Sequence, residues 1–460
     1  MCIETLDTGL NVVQEPQLDI LYYPKLSLEL GVEIKKETLN VLSLFSGCGG
    51  MDLGFEGGFS VLQQSINENL TPDFIDKPLT NGFTLLKKTK FKTVFANDIL
   101  ADARNAWVNY FSKKGHNVED FYNESIVDLV KMYHNGVNIF PKDVDVVTGG
   151  FPCQDFSIAG KRNGFNSHKN HKGQLIESET ASAETRGQLY MWMKEVIEIT
   201  QPKIFIAENV KGLVNLGDVK SIIQNDFSSA SENGYIVLNP QVLHSANFGV
   251  PQSRERVIFI GIKKSALKKS ALVELEKEDI SEKYNPYPNP THSYTVEGKK
   301  LKHFVQLKDL FEHLEEPENT EDLSHKFYSK AKFMGKHCQG QTEIKLDGIA
   351  PTIRSEHHGN IEFRRLSYAN GGKIEKELSN GLIERRLTPR ECALIQTFPP
   401  DYDFVIENKN GRQGSYLISP SQAYKIIGNA VPPLLAYNLA RRIEDVWDLY
   451  FKKTENDSFS

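Results

Sequence analysis

The sequence predicts an α/β fold: an open sheet of buried strands alternating with helices, then a smaller and less regular region. Three observations carry this. Apolar, β-branched runs of strand length recur at 40–45 (NVLSLF), 93–96 (TVFA), 144–147 (VDVV) and 203–207 (KIFIA),. Helical stretches follow at 101–111 and 188–200, the second amphipathic through Leu189, Trp192, Val196 and Ile197,. The first strand runs through a glycine turn, Ser46-Gly47-Cys48-Gly49-Gly50, into helical residues 51–59. Strand, glycine turn, helix is the order found at nucleotide sites.

Totals bound the rest. At 460 residues the chain exceeds one ordinary core, and two domains are expected,. Its 39% hydrophobic and 25% charged residues suit a soluble globular protein,. No basic-then-apolar leader pattern and no run long enough to span a bilayer is present, so a cytoplasmic location without membrane contact is expected,. Five cysteines (Cys2, Cys48, Cys153, Cys338, Cys392) stand far apart with no C-x-x-C pair, which argues against disulfides and against a metal site,. A net charge of −6 does not advertise a nucleic-acid binder, but a local basic surface suffices for phosphate contacts,.

Along the chain, residues 1–38 show no clear period. The glycine turn lacks both G-x-G-x-x-G spacing and a following G-K-[ST], which favours a nucleoside-bearing cofactor over a P-loop,. Residues 60–90, with breakers Pro72, Pro78 and Gly82, read as an insertion,. The second strand ends in Asn97-Asp98, where such folds hold ribose hydroxyls; a cap for the next helix is compatible with that role,. Asn123-Glu124-Ser125-Ile126 supplies a third polar turn.

The strand at 144–147 turns sharply through Phe151-Pro152-Cys153-Gln154 and sets one cysteine at the carboxyl edge of the sheet, where ligands bind,. Pro152 fixes φ and so fixes the cysteine's direction. Alone, Cys153 reads as a buried structural thiol. Its neighbours point elsewhere. Glu208-Asn209-Val210 ends the strand at 203–207, and a carboxylate at such an edge is costly unless paired or used,. Arg254 and Arg256, two apart on one side of a strand, suit a phosphate or a base carbonyl, or else an ion-pair cluster with Glu255,. His168 and His171 lack further ligands at zinc spacing,. After a charged linker, 263–290, basic residues concentrate: Lys326, Lys330, Lys332, Lys336, Arg354, Arg364, Arg365, Arg385, Arg386 and Arg390. Such a run is usually a solvated face, but here it accompanies a candidate site that needs a polyanion. The helix at 434–451 is expected to pack back on the first domain.

In this order the motifs resemble the DNA (cytosine-5) methyltransferase family of bacterial restriction-modification type. They are LFSGCGGMDLGF (44–55), ND (97–98), GGFPCQDFSIAGKRNGF (149–165), ENV (208–210), QSRERV (252–257), RRLTPRECALIQTFP (385–399) and QAYKIIGNAVPP (422–433). The resemblance implies the S-adenosylmethionine-dependent methyltransferase (Rossmann-like) fold, a mixed sheet with helices on both faces, plus a smaller irregular β-rich target-recognition domain. It implies an N-terminal extension at 1–38, a catalytic domain at 39–290, target recognition at 291–420 and a returning segment at 421–460. Cys153 is then the nucleophile, Glu208 holds cytosine N3, Arg256 holds O2, and Arg254 braces the strand or a phosphate. S-adenosyl-L-methionine is implied at Phe45, Ser46, Gly47, Cys48, Gly49, Gly50, Asp98, Ile99, Ser125, Ile126, Pro152, Asn429 and Ala430. The family's adenine-contacting aspartate is replaced by Ser125, which puts that contact in doubt or passes it to Glu124. DNA contacts are implied for Gln154, Ser157, Lys161, Arg162, Gln339, Thr352 and Arg354. Residues 166–184 are an insertion in the segment corresponding to the mobile catalytic loop.

The chemistry needs these groups. Cytosine C5 is too weak a nucleophile to attack a sulfonium methyl unaided, and thiolate addition at C6 activates it. A carboxyl raised by burial suits a proton shared with N3. The target base must leave the stack. Double-stranded DNA is the expected partner of a monomeric enzyme, with a cognate restriction endonuclease acting separately. A tRNA substrate and a catalytically silent DNA-binding regulator remain open; a nicotinamide oxidoreductase fits only the βαβ start.

Overall fold

The computed structural model describes residues 38–152, 189–215, 218–295, 300–312, 314–335, 341–355, 362–412 and 414–452. The described residues belong to one compact unit.

An eight-stranded sheet forms the centre. Its strands are β1 (Leu39–Leu44), β2 (Phe91–Asn97), β3 (Phe121–Tyr122), β4 (Val146–Gly149), β5 (Ile204–Val210), β6 (Tyr235–Val237), β7 (Gln241–His244) and β8 (Glu255–Lys263). The order is β7-β8-β5-β4-β1-β2-β3, with β6 also paired to β8. Pairs from β5 through β3 are parallel. β8 runs antiparallel to β5, β6 and β7, so the sheet is mixed.

The principal helices are α1 (Gly50–Glu56), α2 (Ala101–Phe111), α3 (Ile126–His134), α4 (Leu189–Thr200), α5 (Val219–Ser228), α6 (Pro389–Ile395), α7 (Pro420–Asn429) and α8 (Pro433–Tyr450). Strand side chains alternate between two cores. Val41, Val146, Ile204, Ile206 and Ile258 pack with α1, α2 and α8. Leu42, Val147, Phe205, Ala207 and Val257 pack with α3, α4 and α5. Each fully buried aliphatic side chain adds about 1.5–3 kcal/mol. Because both faces are filled, a one-residue slip would exchange the two cores, and the register of the carboxyl edge is fixed accordingly.

Helical character expected through 59 stops at Glu56, because Gly57 and Gly58 adopt φ of 67° and 66°. α8 does return to the first layer: a Cβ at Gly54 would overlap Pro433 O and Ala436, so only glycine allows the approach of α1 to α8. The 60–90 insertion has structure of its own, a three-stranded sheet of Ser60–Leu62, Phe83–Leu86 and Ile75–Pro78. It braces the chain beyond 290: Asn67 Nδ2 donates to Thr291 O and Lys300 O, each at 2.9 Å, and Lys302 Nζ to Ile66 O at 2.6 Å.

The region after 290 is irregular and β-rich, its longest sheet pairing Thr342–Glu343, Glu362–Arg365 and Arg385–Arg386. Its arginines depart from expectation. Arg364, Arg365, Arg385, Arg386 and Arg390 are all buried. Arg365 binds Glu316 and Glu377; Arg364 binds Glu377. Arg385 grips Glu391 through two bonds of 2.8 and 2.9 Å and also reaches Glu316. Arg390 pairs with Asp322, and Arg386 lies over the Tyr424 ring at 3.9 Å. These five arginines are therefore internal cross-links and not a phosphate-facing surface, because each buried guanidinium meets a partner charge or a ring face,.

Candidate active site

The carboxyl ends of β1, β2, β4 and β5 meet at one edge of the sheet. After β1 the chain kinks at Phe45 (φ 52°) and Gly47 (φ 55°) before Gly49 (φ 77°) opens α1. Ser46 locks this turn: its N donates to Asn97 O at 2.8 Å, and its Oγ donates to Ser43 O while accepting from Asn97 N, both at 3.0 Å. Gly47 N donates to Asp98 Oδ2 (3.0 Å) and Leu100 N to Asp98 Oδ1 (2.8 Å). Burial pushes the Asp98 carboxyl up, opposed by these two bonds and by Lys425. Among the described residues, nothing stands within 4 Å of where a Cβ would lie at Gly47. The turn thus has an open side, beside the exposed Ile99.

Cys48 is fully buried, its Sγ on Ile426 O at 3.4 Å, so it offers the turn main-chain groups alone. A Cβ on Gly50 would overlap Val431 O and press on Ala430. That close approach seats Ala430 and exposed Asn429 against the turn. Ser125 caps α3, accepting from Val127 N at 3.3 Å, with Ile126 buried behind it. Asn123 Nδ2 donates to Asp98 O at 2.7 Å, and Asn97 Nδ2 to Glu124 O at 2.8 Å, which joins the second and third polar turns.

One supporting group escaped the sequence reading. Asp52, 1% exposed, accepts from Ser43 Oγ at 2.5 Å and Trp107 Nε1 at 2.7 Å, and Ser43 Oγ lies 2.9 Å from Ser46 Oγ. Burial lifts its carboxyl to about 6. An acidic residue between the apolar Met51 and Leu53 of α1 was the available signal.

At β4 and β5, Asn209 Nδ2 donates to Phe151 O at 3.3 Å and pins the turn that carries Pro152 to the strand bearing Glu208. Glu208 is 8% exposed, and its Oε1 meets Arg256 Nε at 2.7 Å across the β5–β8 pairing. A Cβ at Gly150 would stand 2.9 Å from Glu208 Oε2. The carboxylate therefore lies directly against the chain three residues before Cys153. Desolvation raises the Glu208 carboxyl, against the opposing pull of Arg256 and then Arg254. Arg254 is 1% exposed and donates to Ile353 O and Gly428 O. Thr352 Oγ1 donates to Ser253 O at 2.5 Å, and Arg354 is exposed. Cys153, Gln154, Ser157, Lys161, Arg162, Gln339 and the 166–184 insertion lie outside the described residues.

The family described as C-5 cytosine-specific DNA methylase matches residues 80–445. The chain belongs to this family. It is 33% identical over 433 residues to the type II methyltransferase M.BsuRI of Bacillus subtilis, spanning 93% of this chain and 84% of that protein. It is 31% identical over 427 residues to M.BspRI of Lysinibacillus sphaericus, spanning 92% and 85%. Among solved structures, S. pombe Dnmt2 methyltransferase is similar at 16% identity and a TM-score of 0.49, over 88% of this chain and 98% of that one. As a member of the C-5 cytosine-specific DNA methylases, of bacterial restriction-modification type, the protein is a DNA (cytosine-5-)-methyltransferase. Among the described residues, no helix is long and apolar enough to cross a membrane.

Proposed function

We propose that the protein methylates C5 of a flipped-out cytosine in a specific duplex sequence through a covalent adduct between Cys153 Sγ and C6. The observation that carries this is the seating of buried Glu208 against Gly150, at the base of the turn leading to Cys153. A carboxyl raised by burial is suited to share a proton with N3 as negative charge develops in the ring,. Arg256, already on Glu208, would bind O2 as the base enters,. The thiolate forms the S–C6 bond, and the electron pair moves to C5, which takes the methyl. Water then removes the C5 proton, and elimination breaks the S–C6 bond and returns the thiolate.

The residues present fit S-adenosyl-L-methionine as methyl donor. Gly47 leaves an open side on the turn, the Asp98 carboxylate can receive ribose hydroxyls, exposed Ile99 offers an apolar face to adenine, and Asn429 and Ala430 adjoin the turn at Gly50,. When bound, this group supplies an electrophilic methyl on sulfur. Ser125, engaged as a helix cap, supports an adenine contact through the main chain near Ile126 in place of a carboxylate.

Thr352 and Arg354 lie on the segment proposed to follow the DNA backbone, and the smaller β-rich region, 291–420, is proposed to select the target. The cellular role proposed is protection of host DNA against a separate endonuclease. A duplex carrying 5-fluorocytosine tests the chemistry, because fluorine at C5 blocks the final elimination. The enzyme should form a methylated, denaturation-resistant complex mapped to Cys153, and Cys153→Ser should form none. Turnover by Cys153→Ser, or a cross-link elsewhere, would overturn the mechanism.

A further inference from the structure

Arg254 stands where three distant parts of the chain meet. Its Nη1 donates to Ile353 O and its Nη2 to Gly428 O, both at 3.0 Å, while its Nε has no partner among the described residues. A guanidinium at 1% exposure held by two main-chain carbonyls is unavailable to a phosphate or base. Its place is structural, yet the two carbonyls are not arbitrary. Ile353 lies between Thr352 and Arg354, the proposed DNA-backbone segment. Gly428 precedes Asn429 and Ala430, the proposed cofactor-side turn.

The same two stretches touch without Arg254. A Cβ at Gly428 would overlap the main chain of Arg354 and Ser355. The 350–353 stretch is also zipped to the residues leading into β8. Ala350 N donates to Pro251 O at 2.9 Å, Ser253 N to Ala350 O at 2.8 Å, and Ile353 N to Gln252 Oε1 at 3.3 Å. Gln252 Nε2 reaches Gln396 Oε1 at 3.2 Å, and Gln396 Nε2 donates to Ile427 O, closing a ring of bonds around the guanidinium. Glu208 and Arg256 are the charges that act on Arg254.

We propose that Arg254 is a positioning residue that clasps the DNA-side segment to the cofactor-side turn, so that filling either site strengthens binding at the other. A planar fork with donors to two acceptors can do this, whereas a lysine ammonium on a flexible stem cannot hold both carbonyls in register. Coupling between two sites is reciprocal, so it can be read from either ligand. The proposal rests on the functional reading above, which it deepens.

The experiment measures duplex affinity with and without saturating S-adenosylhomocysteine, and S-adenosylhomocysteine affinity with and without duplex, alongside thermal melts. In the unaltered enzyme each ligand should tighten the other by roughly fivefold or more. In Arg254→Lys that factor should fall to about twofold or less, while the melt stays cooperative. Should this variant fail to fold, Gln252→Met cuts the same ring at its edge and carries the same expectation. An undiminished factor in a folded variant overturns the clasp, as does an unaltered enzyme that binds both ligands without coupling. Absence of S-adenosylhomocysteine binding altogether would instead overturn the functional reading, and the clasp with it.

Discussion

Replacing Gly150 by alanine adds one methyl at the most sensitive point of the site. The Gly150 φ lies outside the left-handed region, so alanine can adopt the same backbone,. The strain falls on the neighbour. The new Cβ would stand 2.9 Å from Glu208 Oε2, against 3.4 Å or more for ordinary contact. Glu208 must give by about 0.5 Å, and Arg256 holds its other oxygen at 2.7 Å, so the carboxyl rotates away from the position proposed for N3. A displacement of 1 Å can cost about a hundredfold in rate, so roughly ten- to a hundredfold in kcat is expected here. Methyl transfer from tritiated donor to duplex DNA, at saturating concentrations of both, measures it. S-adenosylhomocysteine binding and Tm should change little, because among the described residues the added methyl comes within 4 Å of Glu208 Oε2 alone. An alanine enzyme with unchanged kcat would refute the reasoning that Glu208's seat sets the rate.

Glu208→Gln should lower kcat by roughly 10²–10⁴-fold with duplex affinity nearly kept, as measured by filter binding beside turnover. Because burial raises this carboxyl, its donor form prevails below the raised value and is lost as pH climbs through it; the kcat profile should show that alkaline fall, and the glutamine enzyme should lack it. Asp98→Ala should weaken S-adenosylhomocysteine binding by about tenfold or more in calorimetry, since two main-chain donors lose a charged acceptor,. Glu391 is held near 2 from an ordinary 4.5, Arg385 opposing its burial, which corresponds to about 3 kcal/mol,. That stability is present above pH 4.5 and is lost as pH falls toward 2. Urea midpoints of Glu391→Gln should therefore be lower at neutral pH and flatter across that acid range.

What could be read from the chain depended on how local each cause was. Strands β1, β2, β4 and β5 announce themselves through apolar runs, α2 through helical spacing and the glycine turn through its own residues, whereas the short β3, β6 and β7 do not. The spacing of Arg254 and Arg256 predicts a strand through both, whereas β8 starts at Glu255, because Pro251–Arg254 is engaged by the 350–353 stretch nearly a hundred residues later. Breakers at Pro72, Pro78 and Gly82 hid the small sheet at 60–90; Pro78 is tolerated there because it ends an edge strand,. The arginine pairing was illegible for a similar reason. Glu316 lies 49 residues from Arg365 and 69 from Arg385, so no window joins them. Within the site, the motifs brought Glu208, Arg256, Asp98 and the glycine turn together, but neither Asn209's bond to Phe151 nor the Asp52 support can be inferred without three-dimensional proximity.

The inward-facing arginines also bear on how the enzyme meets the ion atmosphere of DNA. Each phosphate neutralised by a protein cation releases condensed counterions, steepening the fall of log K with log salt by about 0.9. Five guanidiniums already neutralised or stacked within the fold can displace none, which removes roughly four to five from the slope a residue count would suggest,. The slope should accordingly be set by exposed cations such as Lys330, Lys332 and Arg354, and not by the arginine count.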